Sequence, residues 1–338
     1  MAKLKLLPAL LALLAAGPAA VAAPQYDFII CANVNKGYVI GSKIVTTNGL
    51  FRLDEAGVWR HFGYNDSTLT GAAFDPRDPS VYYTSALNGL WAPLEGSVTG
   101  RMVNSWDMTE GRDVAIDPNS PDDVYVAITD GVAVTRDGGR TIQRCDHGLP
   151  ERGKYTETIE VDRTTAGRLF AGCEKGVYLT EDAAANWRQV VSTKAQVNDI
   201  QQSPHDPAVW MAVTDEDGAW ISRDRGLSWT QVEGLPSEHA LYNVAFDPTN
   251  PQRIAVGSWT YGVHTSEDGG ATWGLRNAGL PENPSAWRVG VNPNNGRLYA
   301  SIFRATLFYS DDFGRTWHPD VLEGSLVNRF FAVPRVNR

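Results

Sequence analysis

The stretch Ser266–Trp273, SEDGGATW, decides the fold because it recurs along the chain at a nearly constant interval. Close copies are SRDRGLSW at Ser222–Trp229 and SDDFGRTW at Ser310–Trp317, and weaker copies are TRDGGRTI at Thr135–Ile142 and TEDAAANW at Thr180–Trp187. The third-position aspartates are Asp137, Asp182, Asp224, Asp268 and Asp312. Their separations are 45, 42, 44 and 44 residues, a period typical of units that bury their apolar faces only against one another.

One repeat unit extends from Arg112 to Arg144 and is predicted to contain four short strands. DVAIDP is an apolar strand that stops at Asp117-Pro118, and VYVAI is a second strand. A turn at Thr129-Asp130-Gly131 leads to VAVT, and the Asp motif then leads to TIQRC. Short strands separated by turn residues, without helical periodicity beyond residue 22, predict one antiparallel blade of four strands.

A second series of motifs ends the first strand of each unit and gives the number of blades. It reads FDP, IDP, VDR, QSP, FDP and VNP, with central residues at 75, 117, 162, 203, 247 and 292. Two earlier units lack a clear Asp motif but keep a Gly-led third strand, within Asn48–Trp59 and Asn88–Gly96. The two series together predict an all-β fold, a single seven-bladed β-propeller of four-stranded antiparallel blades over residues 23–338.

Closure of this ring requires the two ends of the chain to meet, because an open ring leaves bare strand edges. RFFAVP at Arg329–Pro334 resembles a first strand with no blade after it. YDFIICANV at Tyr26–Val34 competes for the same position. The sequence leaves both alternatives open.

The N-terminal residues 1–22 have the pattern of a signal peptide. Lys3 and Lys5 precede the apolar segment Leu6–Ala16, and Ala20-Val21-Ala22 forms an A-x-A cleavage site. The apolar segment is too short for a spanning helix, and no other segment approaches the ~20 apolar residues that one needs. We therefore predict a secreted or periplasmic protein that is monomeric and does not insert into a membrane.

Charge and cysteine content narrow the possible partners and cofactors. Signal-peptide cleavage would change the net charge from −9 to −11, and an acidic chain without a basic cluster argues against nucleic acid. The six histidines are scattered singly and the sequence has no CxxC, so we predict that the protein binds no metal and no other cofactor. Of Cys31, Cys145 and Cys173, the last two are the candidates for one disulfide, while free buried thiols are the default expectation.

The Asp motif suits a tight turn between the third and fourth strands, where the carboxylate accepts backbone N–H groups and the glycine takes a positive φ. It resembles the Asp-box, or BNR, repeat of sialidase-like β-propellers, a group that includes sialidases, xyloglucanases, sortilin-type receptors and photosystem II assembly factors. The resemblance covers Asp54 to Trp317, with Ile142 replacing the Trp in one copy and Ala184 replacing the Gly in another. It implies a structural role for the five aspartates and is compatible with enzymes and with binding proteins alike.

The resemblance also implies a functional site around the channel mouth, on the face opposite to the Asp turns. We call this face, which carries the loops between fourth and first strands and between second and third strands, the loop face. The candidate ligand-binding residues are Trp106, Arg112, Tyr155, Trp259, Tyr261, Trp287 and Arg288. Aromatic rings beside guanidinium and carboxylate groups suit sugars, whose C–H faces stack on rings. The candidate catalytic acids are Asp107, Glu110, Asp130, Glu157 and Asp215.

Three functions fit these residues. The leading hypothesis is an exported, non-enzymatic propeller that recognises an extracellular glycan or a protein partner on its loop face. The first alternative is a glycoside hydrolase of the xyloglucanase-like type, which needs two carboxyl groups about 5 to 10 Å apart. The second alternative is an assembly scaffold like the photosystem II factors, which predicts a continuous charged stripe on one face.

The resemblance to xyloglucanases supports the hydrolase alternative in one respect and opposes it in another. Xyloglucanases are similar to this chain in their TD-x-G turns, here Thr129–Gly131 and Thr214–Gly218. They place their two acids on two propellers that face a cleft, however, and this chain is long enough for one. The Arg-Ile-Pro segment of sialidases is absent, so sialidase activity is not expected.

Overall fold

The computed structural model describes residues 25–34, 47–94, 100–105, 107–322 and 324–335. In these residues, 28 strands form seven sheets of four strands each, and every pairing is antiparallel. The first strands of neighbouring sheets contact one another around a closed ring. The seven-bladed all-β propeller is therefore confirmed, while the predicted signal peptide over residues 1–22 lies outside the described residues.

We label the blades A to G around the ring. From the channel outward, blade A contains β28 (Ser325–Pro334), β1 (Tyr26–Val34), β2 (Gly49–Leu53) and β3 (Trp59–Phe62). Blade B contains β4 (Leu69–Phe74), β5 (Tyr82–Ala86), β6 (Gly89–Ala92) and β7 (Arg101–Met102). Blade C contains β8 (Gly111–Ile116), β9 (Val124–Ile128), β10 (Gly131–Thr135) and β11 (Gln143–Arg144).

The remaining four blades are each built from consecutive strands. Blade D contains β12 (Thr156–Val161), β13 (Leu169–Cys173), β14 (Gly176–Thr180) and β15 (Arg188–Ser192). Blade E contains β16 (Val197–Gln202), β17 (Trp210–Thr214), β18 (Ala219–Ser222) and β19 (Thr230–Gln231). Blade F contains β20 (Leu241–Phe246), β21 (Ile254–Ser258), β22 (Gly262–Ser266) and β23 (Gly274–Leu275), and blade G contains β24 (Ala286–Val291), β25 (Leu298–Ile302), β26 (Leu307–Ser310) and β27 (His318–Pro319).

The ring closes in blade A, where the two ends of the described chain pair with each other. β1 pairs with β28 from Tyr26 opposite Pro334 to Val34 opposite Ser325, and its other edge pairs with β2. The two candidate closing strands therefore do not compete. The C-terminal strand is the innermost strand of the blade, and the N-terminal strand is the second.

The core lies between neighbouring blades. Every residue of β9 and of β17 is buried, because each blade is covered on both sides by its neighbours. Such strands are continuously apolar rather than alternating. One cluster, for example, joins Tyr125 and Val134 of blade C to Ile159 and Trp187 of blade D.

The three cysteines belong to this packing and form no disulfide. Cys145 and Cys173 lie in or against the same cluster between blades C and D, and both are free thiols, as is Cys31. Burial raises the pKa of all three thiols to about 12. They are therefore packing residues rather than nucleophiles at neutral pH.

Each Asp motif holds the turn between a third and a fourth strand. In blade F, the Asp268 carboxylate accepts the Thr272 N–H at 2.9 Å, and the Ser266 hydroxyl donates to Asp268 and accepts the Gly270 N–H at 2.8 Å. Hydrogen bonds from the side chain and backbone of Thr272 lower the pKa of Asp268 to about 2. Equivalent backbone bonds reach the other four aspartates, Asp137, Asp182, Asp224 and Asp312. The motif Ser is thus a hydrogen-bonding member of the turn as well as a small residue.

Candidate functional site at the two ends of the channel

The first strand of every blade carries a β-bulge at its loop-face end. The register with the neighbouring strand shifts there by one residue, and the extra residues are Thr70, Arg112, Glu157, Asn198, Tyr242, Trp287 and Asn328. A bulge re-aims its side chain away from the regular alternation of the strand. The seven residues surround the loop-face end of the channel, and we call them the mouth ring.

The residue after each bulge forms a second ring one layer deeper, which we call the inner ring. Its members are Gly71, Asp113, Thr158, Asp199, Asn243, Arg288 and Arg329. Several of them bind the next blade: Asp113 accepts the Ile159 N–H at 3.2 Å, and Asp199 accepts the Val244 N–H at 3.0 Å. The inner ring therefore ties neighbouring blades together around the channel.

Arg329 of blade A crosses the channel at the level of the inner ring. Its Nη2 lies 2.7 Å from Oδ2 of Asp113 on blade C, and its Nη1 lies 3.1 Å from Oδ1 of Asp199 on blade E. Arg288 is buried beside it and donates to the carbonyl oxygens of Asn328 at 2.9 Å and Tyr242 at 3.0 Å. Both arginines line the space above and below this layer, so they divide the channel into two cavities.

Burial has the largest effect on the pKa values of two inner-ring side chains. It raises the pKa of Asp113, although the charge of Arg329 opposes this, and it lowers the pKa of Arg288 to about 10. The two carboxylates of this layer, Asp113 and Asp199, are balanced by the two guanidinium groups. The layer is therefore close to neutral despite its four ionisable side chains.

The upper cavity, which we call the mouth cavity, opens on the loop face and has a volume of about 170 Å³. Arg112 and Glu157 line one side and form an ion pair with Nε and Oε2 2.8 Å apart. The Tyr155 hydroxyl donates to the same Oε2 at 3.1 Å, and the Arg112 guanidinium lies 5.6 Å from the centre of the Tyr155 ring. Burial, reinforced by the charge of Glu157, raises the pKa of Tyr155 to about 12, so its hydroxyl is protonated and acts as a donor.

Aromatic side chains form the opposite side of the mouth cavity. Trp287 lines the cavity, and its ring centre lies 4.5 Å from that of Tyr242 and 6.1 Å from that of Trp259. Trp259 in turn packs on Phe303 at 4.8 Å. Trp287 is therefore held by tilted and edge-to-face rings, and the Arg288 guanidinium lies 4.8 Å from its centre.

Five of the proposed residues thus come together at or just below the mouth, namely Arg112, Tyr155, Glu157, Trp287 and Arg288, with Trp259 one layer behind.

The other proposed residues lie elsewhere. Asp107 and Asp130 share the cation Arg144, at 3.8 and 3.0 Å, on the outer rim of the loop face. A hydrogen bond from Ser105 lowers the pKa of Asp107, the opposite of what a catalytic general acid requires. Tyr261 packs against His239 with ring centres 5.2 Å apart.

Two further candidates are separate from this cluster, and a third is not among the described residues. Glu110 is exposed, with a positive φ of 58°, and Asp215 is half-buried. Neither lines the mouth cavity. Trp106 lies outside the described residues.

The lower cavity, which we call the channel cavity, has a volume of about 480 Å³. Pro76, Pro204, Pro248 and Pro334 line it, and these residues follow or end first strands, so this cavity opens on the Asp-turn face. Its wall also contains Glu160, a strand residue that was not among the proposed functional residues.

The sequence contains a signal for the inner ring that loop-based reasoning misses. When the first strands are aligned on the motifs that end them, the polar residues Asp113, Thr158, Asp199, Asn243 and Arg288 occupy one common register position. Polar residues in the middle of otherwise apolar strands are unusual. Their common register indicates a ring around the channel.

Two further observations concern metals and membranes. Among the described residues, no three His, Cys, Asp or Glu side chains come together as a group able to hold a metal ion. In the same part of the chain, no helix has the length and apolarity needed to cross a membrane.

Known proteins are similar to this chain in sequence and in fold. The model of the family described as "Sortilin, neurotensin receptor 3" matches residues 175–319. The chain is 28% identical over 200 residues to the oligoxyloglucan-reducing end-specific xyloglucanase of Emericella nidulans, a match that covers 50% of this chain. It spans 24% of the length of that enzyme.

Two solved structures superpose on most of the chain. The GH74 xyloglucanase of Xanthomonas campestris has a TM-score of 0.62 at 18% identity, over 77% of this chain and 46% of its own. YCF48 from Cyanidioschyzon merolae has a TM-score of 0.57 at 14% identity, over 76% of this chain and 86% of its own. At these identities the structural likeness establishes the fold alone. The chain is therefore a seven-bladed β-propeller that is similar to the Sortilin-Vps10 family model over residues 175–319 and to a xyloglucanase in sequence, and that shares its fold with the GH74 xyloglucanase and YCF48 structures.

Proposed function

We propose that this chain is an exported recognition propeller whose mouth cavity binds one sugar ring of an extracellular glycan. The observation that carries the proposal is the pairing of chemistries across the mouth, with Trp287 on one side and the Arg112–Glu157 pair on the other. A sugar ring stacks its C–H face on an aromatic side chain, and its hydroxyls bond to charged groups. The signal-peptide pattern of residues 1–22 supports export.

The size of the cavity limits what it takes. Pockets that bury a drug-sized molecule occupy about 300–1,000 Å³, and the mouth cavity is smaller at about 170 Å³. It suits one ring at the end or on a branch of a glycan rather than a buried stretch of polysaccharide. The relation to proteins named as xyloglucanases favours a carbohydrate over other ring-shaped ligands.

Hydrolysis of a xyloglucan-type glycan is the second candidate, and the same relatives favour it. Glycosidases of the usual kind use two carboxyl groups on either side of the scissile bond. Among the described residues, Glu157 is the one carboxylate that lines the mouth cavity, and it is paired with Arg112. Recognition without cleavage therefore accords better with the mouth than hydrolysis does.

A glycan array, followed by calorimetry and a reducing-sugar assay on purified protein, tests the proposal. Trp287→Ala should weaken binding of the best glycan about tenfold or more, since one stacked aromatic ring contributes on the order of 1–2 kcal/mol. Tyr261→Ala is the matched control, an aromatic on the same face but outside the mouth cavity.

Equal loss in both variants, or no effect of Trp287→Ala, would contradict binding at the mouth. Release of reducing sugar that Glu157→Gln abolishes would replace recognition with hydrolysis as the function.

A further inference from the structure

The channel cavity is the larger of the two cavities and is closed at one end. Its volume of about 480 Å³ lies within the range of about 300–1,000 Å³ that is typical of small-molecule sites. The bridge from Arg329 to Asp113 and Asp199 separates it from the mouth cavity. A ligand would therefore enter from the Asp-turn face and stop at this bridge.

One wall of the channel cavity is apolar. Phe331 of blade A and Phe74 of blade B are half-buried, with ring centres 5.8 Å apart in an edge-to-face arrangement. Ala73 on blade B continues this wall with a small side chain. These residues leave room and provide ring faces against which an apolar or cationic group packs favourably.

The facing wall, on blades D and E, carries a carboxyl group without a partner. Glu160 is half-buried and lines the cavity. Across the described ranges, its carboxyl takes part in no hydrogen bond or salt bridge. The neighbouring polar residue, Gln201, is already bound to Asp199 at 3.0 Å.

The charged groups around Glu160 are committed elsewhere. Asp113 on β8 and Asp199 on β16 are bound by Arg329 on β28. Arg288 on β24 donates to backbone carbonyls, and the Arg163 guanidinium after β12 donates to the carbonyl oxygens of Gln202 and Ser203. Glu160 is consequently the uncompensated acid of the channel.

The pKa of Glu160 reflects its burial without a partner. Burial raises its pKa to about 8, with Asp199 and Asp113 adding to the rise and Arg163 and Arg329 opposing it. An occupant that brings a positive charge would pair with the ionised carboxylate and release its proton.

We propose that the channel cavity is a second binding site, which takes an organic cation with an apolar body. The cation would lie against Glu160, and the apolar body would pack on Phe74 and Phe331. The site is distinct from the mouth cavity and does not depend on the function proposed for it.

Calorimetric titration of the full protein with benzyltrimethylammonium tests this site. The probe carries a fixed charge, so any dependence on pH comes from the protein. Binding is expected to be about tenfold or more tighter at about pH 9 than at about pH 6, because Glu160 ionises between them. Benzyl alcohol, which has the ring without the charge, should show neither the tight binding nor the pH dependence.

Glu160→Gln is the decisive variant, because it keeps the shape of the side chain and removes its charge. It should reduce binding at about pH 9 to the level seen at about pH 6 and abolish the pH dependence. Glu151→Gln, at an exposed position, is the matched control and should behave as the unchanged protein. Equal binding of the cation and the alcohol, or unchanged binding in Glu160→Gln, would overturn the proposal.

Discussion

The two ends of the channel are built from the same seven strands and differ in how they treat charge. At the mouth, the carboxylate of Glu157 is matched by Arg112, and Tyr155 donates to it. Below the inner ring, the carboxyl of Glu160 faces a larger space without a partner. The difference teaches that position along a strand sets the chemistry of this channel, because Glu157 at its bulge has a cation within reach and Glu160 further along the same strand does not.

Removal of Arg329 is expected to have the largest effect, since it breaks the layer that separates the two ends. Arg329→Met leaves the buried carboxylates of Asp113 and Asp199 unpaired, which should lower the free energy of unfolding by about 3–5 kcal/mol. Denaturant unfolding followed by tryptophan fluorescence measures this. Arg188→Met is the control, because its pair with Glu181 is half-exposed and contributes about 0–1 kcal/mol. Equal losses in the two variants would mean that the bridge is no more important than a surface pair.

Neutralisation of Glu160 is expected to have the next largest effect, with a sign that depends on pH. Its folded pKa of about 8 lies above the ordinary value of 4.5, so its favourable contribution is present below about pH 4.5 and is lost as the pH rises through about 8. Glu160→Gln should therefore match the unchanged protein at about pH 4 and be more stable by up to about 4 kcal/mol at about pH 9. Unfolding free energies across this range measure the difference, and a constant offset would show that Glu160 is solvated like a surface acid.

The corresponding change at the mouth should be smaller and opposite in sign. Glu157→Gln removes the charge that pairs with Arg112 and weakens the acceptor of Tyr155, so it should destabilise the protein by about 1 kcal/mol at neutral pH. Unfolding measured beside Glu160→Gln in the same buffer compares the two ends directly. A stabilising effect at both positions would mean that the mouth carboxylate is as isolated as the deeper one.

The repeat made the fold predictable, and the loop-face residues were predictable in part. The spacing of the Asp and DP motifs gives the blade number directly, because each turn needs its own aspartate and each first strand needs its own stop. Arg112, Glu157 and Trp287 meet at the mouth because they occupy the same bulge position in different blades. Asp107 and Asp130 were equally plausible in sequence, but Arg144 on the outermost strand of blade C holds them at the rim.

The common register of the inner-ring residues can be read in the sequence, but the contacts that Arg329 makes across the channel cannot. Arg329 meets Asp113 and Asp199 only because the ring closes. The channel is narrow enough at this level for one guanidinium group to reach carboxylates on two other blades. Those contacts join residues 216 and 130 positions apart. Glu160 was overlooked for a related reason, since a carboxylate in a strand reads as solvent-facing unless the opposite wall is known.

The pairing of β1 with β28 has a consequence for the order in which the protein folds. Six blades consist of consecutive strands, whereas blade A joins residues as far apart as Asp27 and Arg335, 308 positions away. Until the last strand is made, β1 presents an unpaired edge and the Arg329 bridge does not exist. Because contacts between residues far apart in sequence form slowly, we expect closure of blade A to be a late step of folding, and both cavities are complete only once it has occurred.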